Sequence, residues 1–208
     1  MTDGGLLRLG DLVEQALEGA LTALATADLA LADRVVREDL DINGLRYNLE
    51  EEIAGRLSEV KGQDVRSLVG ALYVLSELER MGDHAEGIAK VALMLGPQRT
   101  LEVPRVITEM GKRTMSIVNR TMGALSKGDA KLARELCLED DDIDEIYDRA
   151  YQELISTMVG DPRHITEATY MLWVTHNLER IADRATNICE RVVYLVTGQV
   201  EELNVSKY

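Results

Sequence analysis

The chain has 208 residues; 46% are apolar, only three are proline, and phenylalanine is absent. That excludes a disordered chain and leaves room for one large core or two smaller ones. The net charge of −14 is spread along the chain rather than gathered in a tail, so it repels phosphate backbones and anionic lipid; nucleic acid is excluded as a direct ligand, and a metal cation or a basic protein face is favoured.

The opening "MTDGGLLRLGDLVEQ" has neither a basic n-region nor a signal-type apolar stretch, and no apolar run approaches a membrane span. The expectation is a soluble, cytoplasmic protein without direct membrane insertion. Leu6, Leu9, Val13, Leu17, Ala20 and Leu24 then fall on one helical stripe. After a weak break, "TAD" (26–28), Asp28 is placed to cap a second helix. Its stripe is Leu31, Val35, Ile42, Leu45, Leu49 and Ile53. Running to about Ser58, this helix would be about 45 Å long at 1.5 Å per residue. "KGQD" (61–64) breaks it, with Asp64 as the next cap. A third stripe follows through Leu68, Ala71, Leu75, Leu78, Ala85 and Ala89. "GPQRTLEVP" (96–104) divides the chain.

The second half repeats the first. "DLALADRVVREDLDINGL" from Asp28 matches "DAKLARELCLEDDDIDEI" from Asp129, a register of 101, and Leu6, Gly10 and Leu24 align with Ile107, Gly111 and Leu125. "ELERMGDHAEGIAK" (77–90) matches "NLERIADRATNICE" (177–190) in a register of 100, one residue being lost between the second and third helices. Asp129 and Asp161 stand as caps, and Pro104 and Pro162 suit a first helical turn. No alternating run reads as a strand. The pattern predicts an all-α protein of two tandem, pseudo-symmetric three-helix bundles with six long helices, divided at residues 1–96 and 97–208.

Acids at i and i+4 share a helix face. Glu79 with Asp83, and Glu179 with Asp183, lie at the margin of the third-helix stripe. On the second helices Asp39 pairs with Asn43, and Asp140 with Asp144. Antiparallel neighbours can bring such pairs together as oxygen-rich nests suited to hard or borderline cations. Any one pair taken alone reads as a solvated face; the duplication is what lifts all of them together. Arg80 and Arg180 read as local ion-pair partners, His84 and His176 as surface residues, and Tyr73 and Trp173 as packing residues. Cys137 and Cys189, without a Cys-x-x-Cys spacing, read as two reduced core thiols. Phosphate-loop, dinucleotide and nucleophile-elbow motifs are missing, and no His follows a Glu by three as in di-iron bundles. The reading is of a protein that is not an enzyme and has no organic cofactor.

The two third-helix segments closely resemble the signatures of the PhoU family of bacterial phosphate-signalling regulators. "TMVGDPRHI" resembles that family's second-copy turn, and "EDLDIN" and "EDDDID" resemble its E(D)xxxD motifs. The resemblance covers essentially the whole chain. It implies metal at Asp39, Asn43, Glu79, Asp83, Asp140, Asp144, Glu179 and Asp183, with iron, zinc, manganese or magnesium as possible ions. It also implies a homodimer that negatively regulates phosphate uptake by bridging the ATPase subunit of the phosphate importer and a membrane sensor histidine kinase. The alternative is an accessory protein of a low-affinity phosphate permease. Asn43 departs from the motif by replacing an acid, Ala182 replaces a glycine, and Gly87 stands opposite Asn187; the first helix is short at its N-terminus. With one acid fewer in the first copy, the second is expected to bind metal more tightly.

Overall fold

The fold is that of a computed structural model, which describes residues 4–61, 63–201 and 203; the side chain of Asp64 lies outside the described residues. Seven α-helices are found among them: α1 (Gly4–Thr26), α2 (Leu29–Leu57), α3 (Gln63–Leu95), α4 (Arg105–Lys127), α5 (Ala130–Leu138), α6 (Asp140–Gly160) and α7 (Ile165–Thr197). A single 3-10 turn, Pro162–His164, precedes α7, and the described residues contain no strand. Together α5 and α6 occupy the place that α2 holds in the first half. The result is two tandem three-helix bundles, as the periodicity predicts, with six helical legs built from seven helices.

The helix ends follow from local chemistry. Asp28 caps α2 by accepting the Leu31 N–H at 2.9 Å, and Asp129 caps α5 by accepting from Lys131 and Leu132. Asp161 caps the 3-10 turn rather than α7, whose N-cap is His164. Pro104 stands just outside α4 as its N-cap, and its carbonyl accepts the Ile107 N–H at 3.0 Å. The C-termini of α1 and α4 close in the same way. Asp28 N–H donates to the Ala23 carbonyl and Asp129 N–H to that of Ala124, across a left-handed residue. That residue is Gly128 (φ 62°) in the second half and Ala27 (φ 56°) in the first.

The expected single helix of the second half is broken at Glu139, where Glu139 N–H turns back to Leu136 O and Asp142 N–H to Glu139 O. Four consecutive acids, residues 139–142, would crowd one continuous turn with like charge. The break instead puts Asp140, Asp141 and Asp142 in the first turn of α6, where the helix dipole favours them. It also releases Glu139 to an ion pair of 2.7 Å with Arg120 on α4.

The two halves pack around a pseudo-two-fold axis, α1 antiparallel to α4 and α3 antiparallel to α7. Equivalent contacts recur in exchanged form. A Cβ on Gly10 would collide with the Met122 side chain, and one on Gly111 would lie 2.8 Å from Leu21 Cδ2; Gly10 and Leu21 are the counterparts of Gly111 and Met122. A side chain at either glycine would require the Met122 or Leu21 side chain to move. The predicted stripe of α1 is buried throughout, and one hydrophobic core runs continuously from Leu6 to Val193 through both bundles.

Candidate functional site

At the centre of the α3–α7 contact lies a buried polar layer. Glu77, buried, accepts from Arg184 Nη1 at 3.3 Å and from Asn187 Nδ2 at 3.1 Å. The pseudo-symmetric pair is His84 Nδ1 with Asn177 Oδ1, at 2.9 Å. His84 is thus a half-buried interface residue, not a surface one; burial is the main cause holding its pKa below the ordinary value. Arg191 stacks on Tyr73 at 4.1 Å, whereas the counterpart Trp173 is 49% exposed, its ring 5.3 Å from that of Tyr170.

The acidic pairs lie on the flanks of this layer, one set in each bundle. In the first, Asp39 of α2 is buried and accepts from Asn43 Nδ2 at 2.7 Å. Asn43 therefore removes the repulsion that an acid would bring there. The other Asp39 oxygen, Oδ1, is buried with no hydrogen-bond partner. Burial, then Glu86 and Asp83, raise the Asp39 pKa; burial and Glu86 raise that of Asp83, and burial and Asp83 that of Glu79. Asp83 is exposed at the rim. Motif spacing alone misses Glu86; its position at i+3 from Asp83, one turn along the same face, is the signal that identifies it. Lys90 pairs with Glu86 at 2.6 Å.

In the second bundle Asp140, at the start of α6, is buried with its Oδ1 3.3 Å from the Thr186 hydroxyl; Thr186 is the counterpart of Glu86. Glu179 is half-buried and its Oε2 lacks a hydrogen-bond partner. Burial first, then Asp183, Asp144 and Asp140, push its pKa up to about 7 despite Arg180. Asp183 is raised chiefly by burial while pairing with Arg180 at 2.9 Å, so the expected local ion pair forms at Arg180. Asp144 is exposed, and His176 stays outside with Nδ1 3.7 Å from Glu179 Oε2.

The fold thus brings α2 and α3 acids together in one bundle and α6 and α7 acids in the other. Among the described residues no three His, Cys, Asp or Glu side chains are close enough together to hold a metal ion. The donor chemistry still fits a hard cation: the candidate donors are oxygen, two buried carboxylate oxygens lack a hydrogen-bond partner, and neighbouring acids raise one another's pKa.

Fold and site define a class: internally duplicated helical bundles with a cluster of acids on each half, in which no described helix is long and apolar enough to cross a membrane. The chain belongs to the PhoU family, since the sequence model of the PhoU domain matches it twice, at residues 6–92 and 107–192. It is 31% identical over 202 residues to the phosphate-specific transport system accessory protein PhoU homolog of Clostridium acetobutylicum, covering 96% of this chain and 92% of that one. The Pseudomonas putida protein of the same description is 36% identical over 198 residues, covering 93% and 77%. The crystal structure of PhoU from Pseudomonas aeruginosa superposes with a TM-score of 0.89 at 34% identity, covering 94% of this chain and 95% of that one. That of the phosphate transport system regulatory protein PhoU from Streptococcus pneumoniae gives 0.89 at 34%, covering 96% and 95%.

Proposed function

We propose that this chain is a non-enzymatic, cytoplasmic, homodimeric regulator of phosphate homeostasis. It restrains phosphate uptake and starvation signalling when phosphate is plentiful, by contacting both the importer ATPase and the sensor histidine kinase. The observation that carries this reading is the whole-length likeness of both halves to relatives described as accessory or regulatory proteins of phosphate transport. At the α3–α7 contact Glu77 pairs with Arg184 and His84 with Asn177, so these four polar groups have a structural use there.

The acidic clefts supply the contact chemistry. Asp39, Glu79 and Asp83 with the Asn43 carbonyl, and Asp140, Asp144, Glu179 and Asp183, would hold iron, zinc, manganese or magnesium. A bound cation would relieve the mutual repulsion of these acids and turn each cleft from anionic to mixed charge. The same −14 surface steers basic partner faces. Deleting the gene in its host should raise phosphate uptake and switch on a starvation reporter in phosphate-rich medium; an unchanged reporter overturns the proposal. With purified partners, association should slow as salt rises from roughly 50 mM to 500 mM, because exposed charges are screened beyond about 8 Å at physiological ionic strength.

A further inference from the structure

Between α3 and the C-terminal half of α7, a cavity of about 100 Å³ opens to solvent beside Val200, which is 81% exposed. That volume lies below the roughly 300–1,000 Å³ of sites for drug-sized molecules and suits a small ion. Arg191 of α7 stands in its wall, 4.1 Å from the Tyr73 ring and 5.3 Å from the Tyr194 ring. Its Nε is buried with no hydrogen-bond partner, and the guanidinium pairs with no acid among the described residues. Arg66 of α3 lies over the same Tyr194 ring at 5.5 Å. Stacking covers the face of a guanidinium and leaves its in-plane N–H groups for an acceptor, the fork that fits an oxyanion. The fold does not require this arrangement: in the register of 100 the counterparts of Arg191 and Tyr194 on α3 are Val91 and Met94.

We propose that this cavity binds inorganic phosphate, held by the Arg191 guanidinium, with Arg66 adding positive charge from across the Tyr194 ring. The net charge of −14 opposes any anion at long range, so recognition rests on the contact itself. Two acids also line the cavity, and they decide which oxyanion enters. Glu201 is held by Arg134 at 2.9 and 2.7 Å, and Glu190 accepts the Leu203 N–H at 2.9 Å. A carboxylate has several lone pairs and can also accept the hydroxyl hydrogen of a protonated phosphate. Sulfate, fully ionised at neutral pH, carries no such hydrogen and is repelled. Glu77, the nearby buried acid, is engaged by Arg184 and Asn187. The site is defined by its own cations and does not depend on the regulatory role proposed above.

The full-length protein, stripped of metal so that phosphate cannot bridge a bound cation, is titrated calorimetrically with inorganic phosphate at neutral pH. One site per chain is expected, with sulfate and glycerol phosphate each weaker by at least about tenfold, the first for want of a hydrogen to donate and the second for want of room. Arg191→Gln should lose the binding, Arg66→Gln should weaken it less, and Glu190→Gln should narrow the gap between phosphate and sulfate. No saturable binding by the parent protein would overturn the site. So would sulfate or glycerol phosphate binding as tightly as inorganic phosphate, or an unchanged affinity in folded Arg191→Gln. Each of these outcomes leaves the reporter test of the regulatory role untouched.

Discussion

The two acidic clusters follow one pattern and differ at several counterpart positions. Where α2 carries Asn43 and Arg46, α6 carries Asp144 and Tyr147; where α3 carries Glu86 and Lys90, α7 carries Thr186 and Glu190. The first cleft therefore holds its compensation within itself. Asn43 donates to Asp39, Lys90 pairs with Glu86, and Arg46 holds down the Glu79 pKa against burial and Asp83. The second has Arg180 on Asp183 but a phenol in place of Arg46, and Tyr147 is itself pushed up by burial and by Glu179. The lesson is that burial, with Tyr147 standing where Arg46 steadies Glu79, shifts Glu179 from an ordinary acid toward a proton-holding group.

Four measurements would break or sharpen this contrast. The largest effect is expected at the symmetric core between the clefts. Glu77→Ala leaves Arg184 buried without its partner and should cost about 3–5 kcal/mol in urea unfolding. Its counterpart Asn177→Ala loses a neutral bond to His84 and should cost about 1–3 kcal/mol. Equal costs would mean that the ion pair behaves as an ordinary hydrogen bond.

Next comes cation binding. Asp183→Asn should weaken divalent-ion affinity by at least about tenfold and abolish most of the ion-induced rise in melting temperature, with Asp83→Asn losing less. Asn43→Asp should narrow the gap. Equal losses would mean that Glu86 supplies the charge Asn43 withholds; no uptake of iron, zinc, manganese or magnesium at all would leave the clefts as docking surfaces.

Third is the pH dependence. Glu179 has its folded pKa raised from 4.5 to about 7, so the folded state holds a proton that the unfolded state releases first. Its contribution is therefore fully present below 4.5 and is lost as pH rises to about 7. Glu179→Gln should flatten that decline and stabilise the metal-free protein above pH 7 on the order of 1 kcal/mol, after solvent screening of a half-buried group. Glu79→Gln should do less, and Tyr147→Arg should reproduce part of the effect by lowering the Glu179 pKa. A steeper decline in Glu179→Gln would reverse the sign and reject the assignment. Smallest is the helix end: Ala27→Gly should stabilise by about 0.5–1 kcal/mol by removing a left-handed Cβ, while Gly128→Ala should cost about as much in chemical unfolding.

Most of the architecture was legible because helical period and capping are local. The stripe from Leu6 to Leu24 and the caps at Asp28 and Asp129 needed no knowledge of partners. The break at Glu139 was not legible from hydrophobic period, since Leu136, Ile143 and Ile146 remain buried on either side of it. The acid pairs were placed on neighbouring helices by spacing alone, but Glu86 and the Arg46–Tyr147 contrast depend on what faces each acid across the bundle. His84 shows the same limit: it acquires its partner, Asn177, from another helix.

The exchanged contacts at Gly10 and Gly111, and at Glu77 and His84, have a consequence for how the gene could have arisen. Every contact across the axis joins one repeat to the other, as in a two-fold dimer of a single bundle. A half-length ancestor could close the same interface with a second copy of itself. Fusion through residues 96–104 would then have made association unimolecular and freed the copies to diverge, as Asn43 against Asp144 and Arg46 against Tyr147 now do. Today that join is fastened at both sides: Arg99 holds the Leu24 and Ala25 carbonyls of α1, and Glu167 of α7 accepts the Thr100 and Leu101 N–H groups.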